Sequence, residues 1–107
     1  MEVPPAFGPG RWRVQMNAFG NVSAFDMVLH PNGTLQGQQL GVPMPLQQQG
    51  QWGFDPAQGL LTLKLWISQM GMPLGQETVM IRLLGAQGGV VFGQDMNGRL
   101  FQFQHAG

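Results

Sequence analysis

The stretch from Asp55 to Ser68, DPAQGLLTLKLWIS, joins a tight turn to a strand and so decides the fold class. Its first part contains Asp, Pro and Gly, the residue types that reverse the chain direction. In its second part the apolar side chains that alternate onto one face are Leu61, Leu63, Leu65 and Ile67. This period of two residues predicts a β-strand that buries one face.

The same unit, a short alternating segment followed by a turn, repeats along the chain. Pro31-Asn32-Gly33 and Asn97-Gly98 are strong turn signals, because Asn and Gly tolerate positive φ. No sustained, Gly-free apolar period of 3.6 residues interrupts this pattern. We therefore predict eight strands, at about 11–17, 23–30, 34–40, 46–54, 60–68, 77–84, 90–96 and 99–105.

Eight short strands joined in order by short turns form an antiparallel up-and-down meander. A flat meander would leave two edge strands open to aggregation, whereas closure into a barrel removes both edges. We therefore predict one domain over residues 1–107, folded as a small all-β barrel. A two-sheet sandwich is the alternative, although it usually needs longer crossover connections.

Charge narrows the classes of partner. Charged residues make up 9% of the chain, Lys plus Arg number five, and the formal net charge is zero. Phosphate binding needs a basic face, so we expect no nucleic-acid partner and no polybasic membrane anchor. A neutral surface repels its own copies weakly, which favours a homo-oligomer, either a dimer or a larger assembly.

The absence of cysteine excludes disulfides, thiolate catalysis and cysteine-based zinc sites. Small secreted domains often need disulfides, so we expect a cytoplasmic protein. The N-terminal residues show no basic and apolar leader, and no apolar run approaches the ~20 residues of a spanning helix. We therefore expect neither a signal peptide nor a membrane span.

The loops predicted at the two ends of the barrel differ in composition. Those after the even-numbered strands are tight and polar, whereas those at about 17–22, 41–46, 69–75 and 95–98 carry apolar side chains. Methionine is flexible and polarizable, which suits a surface that fits varied apolar shapes. We predict that a small apolar molecule binds at this barrel mouth. The predicted ligand-binding residues are Phe19, Met44, Met70, Met72, Leu74 and Met96.

Two alternatives stay open for these apolar loops: they fold inward as ordinary core, or they form a surface for a protein partner. A second apolar surface is predicted on the outer face of the fifth and sixth strands. The alternation of side chains along these two strands places Trp66, Met80 and Leu84 on the side that faces solvent. An exposed Trp commonly marks an interface, so this face is the predicted site of self-association.

Gly10-Arg11-Trp12 opens the predicted first strand, just after a Pro-rich segment. The tripeptide resembles the Gly-x-Trp signature of lipocalins and related calycins. The resemblance implies an eight-stranded barrel in which Trp12 packs at a closed end and the loops after odd-numbered strands surround an open end. The chain departs from that family in lacking any Tyr, and with it the Thr-Asp-Tyr motif before the seventh strand.

Candidate catalytic and metal-binding residues are few. His30 and His105 fall at the predicted closed end without a positioned carboxylate, so we expect no metal and no cofactor. Asp26 and Arg82 fall on outward positions, and Asp95 fits either face because its strand is apolar on both. Ser, His and acidic residues are too scattered for a catalytic triad. We therefore expect that the protein is not an enzyme. If it were one, an isomerase or cyclase that works by shaping an apolar substrate would fit the barrel best.

Overall fold

Eight antiparallel strands follow one another around a closed barrel in the computed structural model, which describes residues 7–106. The strands are β1 (Gly10–Ala18), β2 (Asn21–Leu29), β3 (Thr34–Leu40), β4 (Leu46–Asp55), β5 (Leu60–Gln69), β6 (Met72–Gln87), β7 (Val90–Asp95) and β8 (Leu100–His105). Each strand pairs with the next, and β8 pairs with β1. The predicted meander closed into a barrel is therefore confirmed, and the sandwich alternative is wrong.

Phe7 and alternating side chains from every strand except β4 supply the buried apolar residues of the barrel interior. The buried apolar residues are Phe7, Trp12, Val14, Phe25, Met27, Leu29, Leu35, Leu61, Leu63, Leu65, Val79, Ile81, Leu83, Val91, Phe101 and Phe103. Met16, Trp52, Phe54 and Ile67 are partly buried against this cluster. The interior of an eight-stranded barrel is just wide enough for side chains to fill, and these residues pack into one contiguous core.

The closed end of the barrel is the end at which β1 begins. There the Trp12 ring stacks on Phe7 with centroids 4.5 Å apart, and Trp12 Nε1 donates a hydrogen bond to the Gly8 carbonyl at 3.0 Å. Trp52 makes a similar contact, since its Nε1 donates to the His30 carbonyl at 2.9 Å. Trp12 is thus buried, as the resemblance implied. The predicted segment across the base is represented by Phe7 and Gly8; positions 3–6 lie outside the described residues.

The loop predicted at 69–75 is wrong, because most of this segment is strand. Met70 and Gly71 alone form the turn between β5 and β6. The pairing shifts between Ile67 and Ser68, so that Pro73 stands opposite Ser68. Proline is tolerated in a strand at such a bulge, where the ladder is already interrupted. The hairpin therefore presents Met72 and Leu74 as strand residues.

The two sides of β6 are paired unequally. β5 pairs with β6 from Met72 to Arg82, whereas β7 pairs with it only from Ile81 onward. Within residues 7–106, the segment Met72–Met80 therefore has a strand partner on one side only. A second register shift, between Leu83 and Gly85, accompanies the separation of β6 from β7. The barrel is closed around its core, yet β6 keeps a free strand edge nine residues long beside the loop end, from Met72 to Met80.

Candidate functional site

The loop end of the barrel consists of the turns after β1, β3, β5 and β7, and it is apolar on its outside. All six predicted ligand-binding residues, Phe19, Met44, Met70, Met72, Leu74 and Met96, lie in these turns or next to them, with exposures between 53% and 85%. The alternative in which they fold inward as core is therefore wrong. Exposed apolar side chains gathered at one end are typical of a contact surface.

Two of the turns hold a large apolar side chain at a tip with positive φ. Phe19 has φ 55° beside Gly20 at 94°, and Met70 has φ 53° beside Gly71 at 79°. Positive φ at both central residues is the pattern of a type I′ turn, in which Asn, Asp and Gly are preferred. Phe and Met are unfavourable there, because their Cβ crowds the backbone. These two tips keep apolar side chains in solvent despite a conformational cost.

The four turns at the loop end are held together in two pairs. Gln69 Nε2 donates a 2.7 Å hydrogen bond to the Met44 carbonyl, which joins the β5–β6 hairpin to the β3–β4 loop. On the other side, a Cβ placed on Gly98 would lie 3.9 Å from Phe19 Cε1, so the Phe19 ring lies beside the β7–β8 turn. The turns of each pair thus lie side by side.

A charged cluster lies at the loop end of the barrel, where β6, β7 and the turn before β8 meet. Arg99 Nη2 donates to Glu77 Oε1 at 2.7 Å, and Arg99 Nε donates to Asp95 Oδ2. Asp95 and Glu77 stand opposite Ile81 and Leu65, so both carboxylates are on the inward side. Because Glu77 lies on the free part of β6, Arg99 bridges the gap that opens where β6 and β7 separate.

Hydrogen bonds within the cluster favour the charged form of Arg99. Burial lowers the pKa of Arg99, but its hydrogen bonds to Glu77 and Asp95 outweigh burial and raise that pKa overall. Asp95 Oδ1 also accepts hydrogen bonds from the backbone N–H groups of Asn97 and Arg99 at 3.0 and 2.8 Å. The sequence prediction left Asp95 on either face and did not identify Glu77 or Arg99. The Asn97-Gly98 pair indicated only a turn at this point of the chain.

Gln48 is a second polar group inside the barrel. Its side chain is 7% exposed, and its Oε1 has no hydrogen-bond partner among residues 7–106. Gly37 lies opposite, and a Cβ there would stand 2.8 Å from Gln48 Oε1. The missing side chain at Gly37 therefore leaves the space that the Gln48 amide occupies.

The predicted outer-face residues Trp66, Met80 and Leu84 are all exposed, by 47%, 39% and 57%. The register does not bring them into one patch, since Trp66 stands opposite Gln76 and Met80 opposite Thr62. Lys64 and Thr78 separate the two positions. Met80 and Leu84 instead line a groove of about 400 Å³ with Leu60 and Met96, at the separation of β6 from β7.

The residues considered for chemistry stay apart. The His105 ring packs edge-on against Trp12 with centroids 4.8 Å apart. Across residues 7–106, no three His, Cys, Asp or Glu side chains are grouped closely enough to hold a metal ion. The described part of the chain also contains no helix with the length and apolarity needed to cross a membrane.

The apolar tips, the free β6 edge and the charged cluster are thus neighbours at one end of a filled barrel. Comparison with protein-family models, with curated protein sequences and with solved structures finds no match to this chain.

Proposed function

We propose that the protein is a non-enzymatic interaction module that associates with a second copy of itself through the β5–β6 hairpin. The observation that carries this proposal is the hairpin itself, which combines an apolar tip with a strand edge free of a partner from Met72 to Met80. An unpaired edge offers a row of backbone donors and acceptors to another strand. The same edge on a second molecule is a complementary partner under two-fold symmetry.

The filled interior favours a partner that rests on the barrel over a ligand that enters it. Sixteen apolar side chains are buried inside, and the Arg99 cluster lies at the loop end with its two carboxylates on the inward side. The side chains of Met72 and Leu74 are exposed. Contact with a second hairpin would remove them from water, which is the main favourable term in association.

Charge opposes association between identical copies only weakly. At the loop end, Arg99 pairs with both Glu77 and Asp95, so this cluster presents a single net negative charge to a second copy. The chain as a whole has zero net charge, which leaves little long-range repulsion between copies.

The test replaces apolar residues of the hairpin in a Met70→Asn/Leu74→Lys variant. Asn suits the positive φ at Met70, and lysine on a strand edge opposes pairing. Light scattering should show concentration-dependent dimers for the unaltered protein and monomers for the variant. Leu84→Lys is the matched control, because Leu84 is equally exposed but lies away from the tip. A monomeric unaltered protein, or an unchanged mass in the variant, would contradict the proposal.

A small apolar ligand at the loop end is the second candidate. The groove of about 400 Å³ lined by Leu60, Met80, Leu84 and Met96 supports it, because this groove is mostly apolar and adjoins the loop end. Binding of a fluorescent apolar probe would test it. The probe should lose affinity for a Met44→Gln/Met72→Gln variant if it binds on the apolar turns, and for Met80→Gln if it binds in the groove.

A lipocalin-like architecture and a cytoplasmic location belong with these proposals. The first is supported by Gly10-Arg11-Trp12 and by the position of Trp12 at the closed end of an eight-stranded barrel. The second is supported by the absence of cysteine. Fractionation of the source cells would test the location directly.

A further inference from the structure

A row of uncharged polar side chains crosses the outer face of four neighbouring strands and contains one tryptophan. The register places Gln36 opposite Gln49, Gln49 opposite Trp66, and Trp66 opposite Gln76. Cross-strand partners project from the same face, so these four side chains stand side by side. Neighbouring strands lie about 4.8 Å apart, which gives the row a length of roughly 14 Å.

Further glutamines widen this row into a surface, which we call the glutamine face: Gln36, Gln38, Gln47, Gln49, Trp66 and Gln76. Gln38 and Gln47 form the next cross-strand pair toward the loop end. All five glutamines are exposed. Among residues 7–106, the glutamine side chains that bond to the protein are those of Gln39 and Gln69, which lie outside this face. The amides of the glutamine face are therefore available to a ligand.

Two shallow grooves meet on the glutamine face. One, of about 340 Å³, is lined by Gln36, Gly37, Gln38, Gln47, Gln48 and Gln49 together with Asp26 and Val28. The other, of about 270 Å³, is lined by Trp66, Gln49 and Gln76 together with residues of the hairpin. Gln49 borders both grooves, so an extended ligand that occupied the first would reach the Trp66 ring in the second.

The Trp66 ring has a supported position on this face. Gly50 lies beside it on β4, and a Cβ on Gly50 would stand 3.1 Å from Trp66 Cε3 and 1.8 Å from the Lys64 carbonyl oxygen. The absence of a side chain at Gly50 thus lets the edge of the indole approach the β4 backbone. The ring remains 47% exposed, which leaves part of its surface open for contact.

The chemistry of the glutamine face selects an uncharged ligand rich in hydroxyl groups. Each amide both donates and accepts hydrogen bonds, as a hydroxyl group does. An aromatic ring offers a flat apolar surface with a negative face, which suits the weakly positive C–H groups of a sugar ring. Asp26 is already paired with Arg11, and Lys64 lies at the margin beside Trp66. A single-stranded nucleic acid would need a basic groove, which this face lacks.

We propose that the glutamine face binds a neutral oligosaccharide, with the Trp66 ring stacked on one sugar and the amides of Gln36, Gln49 and Gln76 bonded to hydroxyl groups. A hairpin-mediated dimer would cover Gln76, which lies on the free β6 edge, and so would compete for one end of this site. The site does not require that dimer. It uses the same Trp66 ring as the self-association predicted from the sequence. A second copy on Trp66 is therefore the competing occupant.

The experiment titrates the protein with maltohexaose, cellohexaose and the uncharged hexamer of N-acetylglucosamine, and follows tryptophan emission and binding heat. At least one hexasaccharide should bind and change the emission, because Trp66 is the most exposed of the three tryptophans. Trp66→Ala should weaken that binding by about tenfold or more, as truncation of an aromatic hot spot does. Gln49→Ala should weaken it by a smaller factor, since Gln49 borders both grooves.

Met80→Ala is the matched control, because Met80 lies on the same hairpin but not on the glutamine face, and it should leave binding unchanged. Circular dichroism of each variant shows directly whether it is folded. Absence of binding by all three sugars, or full binding by Trp66→Ala, would overturn the proposal. Salt-sensitive binding of an oligo-dT strand in place of the sugars, or a concentration-dependent mass abolished by Trp66→Glu alone, would assign the face to another partner.

Discussion

The closed end and the loop end of this barrel place aromatic and apolar side chains in opposite environments. At the closed end, Trp12 is 7% exposed, stacks on Phe7 and has its indole N–H satisfied by a backbone carbonyl. At the loop end, Phe19 is 83% exposed and stands on a turn with unfavourable φ. Burial and hydrogen bonding at the first end stabilise the fold. At the loop end, exposed apolar side chains and unfavourable φ angles lower the stability of the fold, which is typical of surfaces that bind a partner.

Truncation at the closed end should have the largest effect on stability. Trp12→Ala removes the ring that packs between Phe7 and His105, and it should lower the free energy of unfolding by about 3–5 kcal/mol. Chemical denaturation followed by circular dichroism measures this loss. A loss below about 1 kcal/mol would mean that the closed end is not the main stabilising end.

Removal of the Arg99 cation should have the next largest effect. Arg99→Ala leaves Asp95, whose side chain is 3% exposed, without its charged partner. Complete loss of a partner in a buried ion pair costs about 3–5 kcal/mol, and the partial exposure of Glu77 reduces this to about 2–3 kcal/mol. Arg82→Ala, at an exposed arginine on β6, is the control and should change stability by less than about 0.5 kcal/mol.

Substitution at the loop-end tips should raise the free energy of unfolding, whereas the two substitutions above should lower it. Phe19→Asn and Met70→Asn place a residue that tolerates positive φ where a crowded one now stands, and each should raise the free energy of unfolding by up to about 1 kcal/mol. The same denaturation measurement decides it. A decrease in stability for both variants would remove the contrast between the two ends.

The smallest effect should come from the Arg11–Asp26 pair on the outer surface. The hydrogen bond from Arg11 at 2.9 Å is the main cause that lowers the pKa of Asp26. A lowered folded-state pKa contributes stability at neutral pH, and that contribution is lost as pH falls through the folded-state value. The difference in unfolding midpoint between the unaltered protein and Asp26→Asn should therefore shrink below about pH 4. A difference that is constant from pH 7 to about pH 2 would contradict this linkage.

Local patterns in the sequence were sufficient to predict the fold, but they left open whether the apolar loops fold inward or outward. Alternation in segments such as Leu60–Ser68, together with turns such as Pro31-Asn32-Gly33, depends on neighbouring residues alone. The end at which the odd-numbered turns gather followed from strand order. Trp66 was placed outward by the same phase, and it is exposed.

Features that depend on register between strands were not predictable in this way. β6 can continue through Pro73 only because its pairing with β5 contains a bulge. The free edge of β6 exists because β7 pairs with β6 only from Ile81 onward. The Arg99 cluster joins residues from β6, β7 and the turn before β8, whose approach no periodicity encodes. The glutamine face likewise exists only once Gln36, Gln49, Trp66 and Gln76 are aligned across four strands.

The pairing of β8 with β1 has a consequence for how the chain folds. Every other pairing joins strands that are neighbours in sequence, whereas this one brings Trp12 opposite His105. Contacts between distant segments form slowly, because the entropy of closing a long loop must be overcome first. We therefore expect a late folding step in which an open sheet of hairpins seals along β1 and β8. Until that step, two copies can exchange terminal strands, so refolding at high protein concentration should yield domain-swapped dimers.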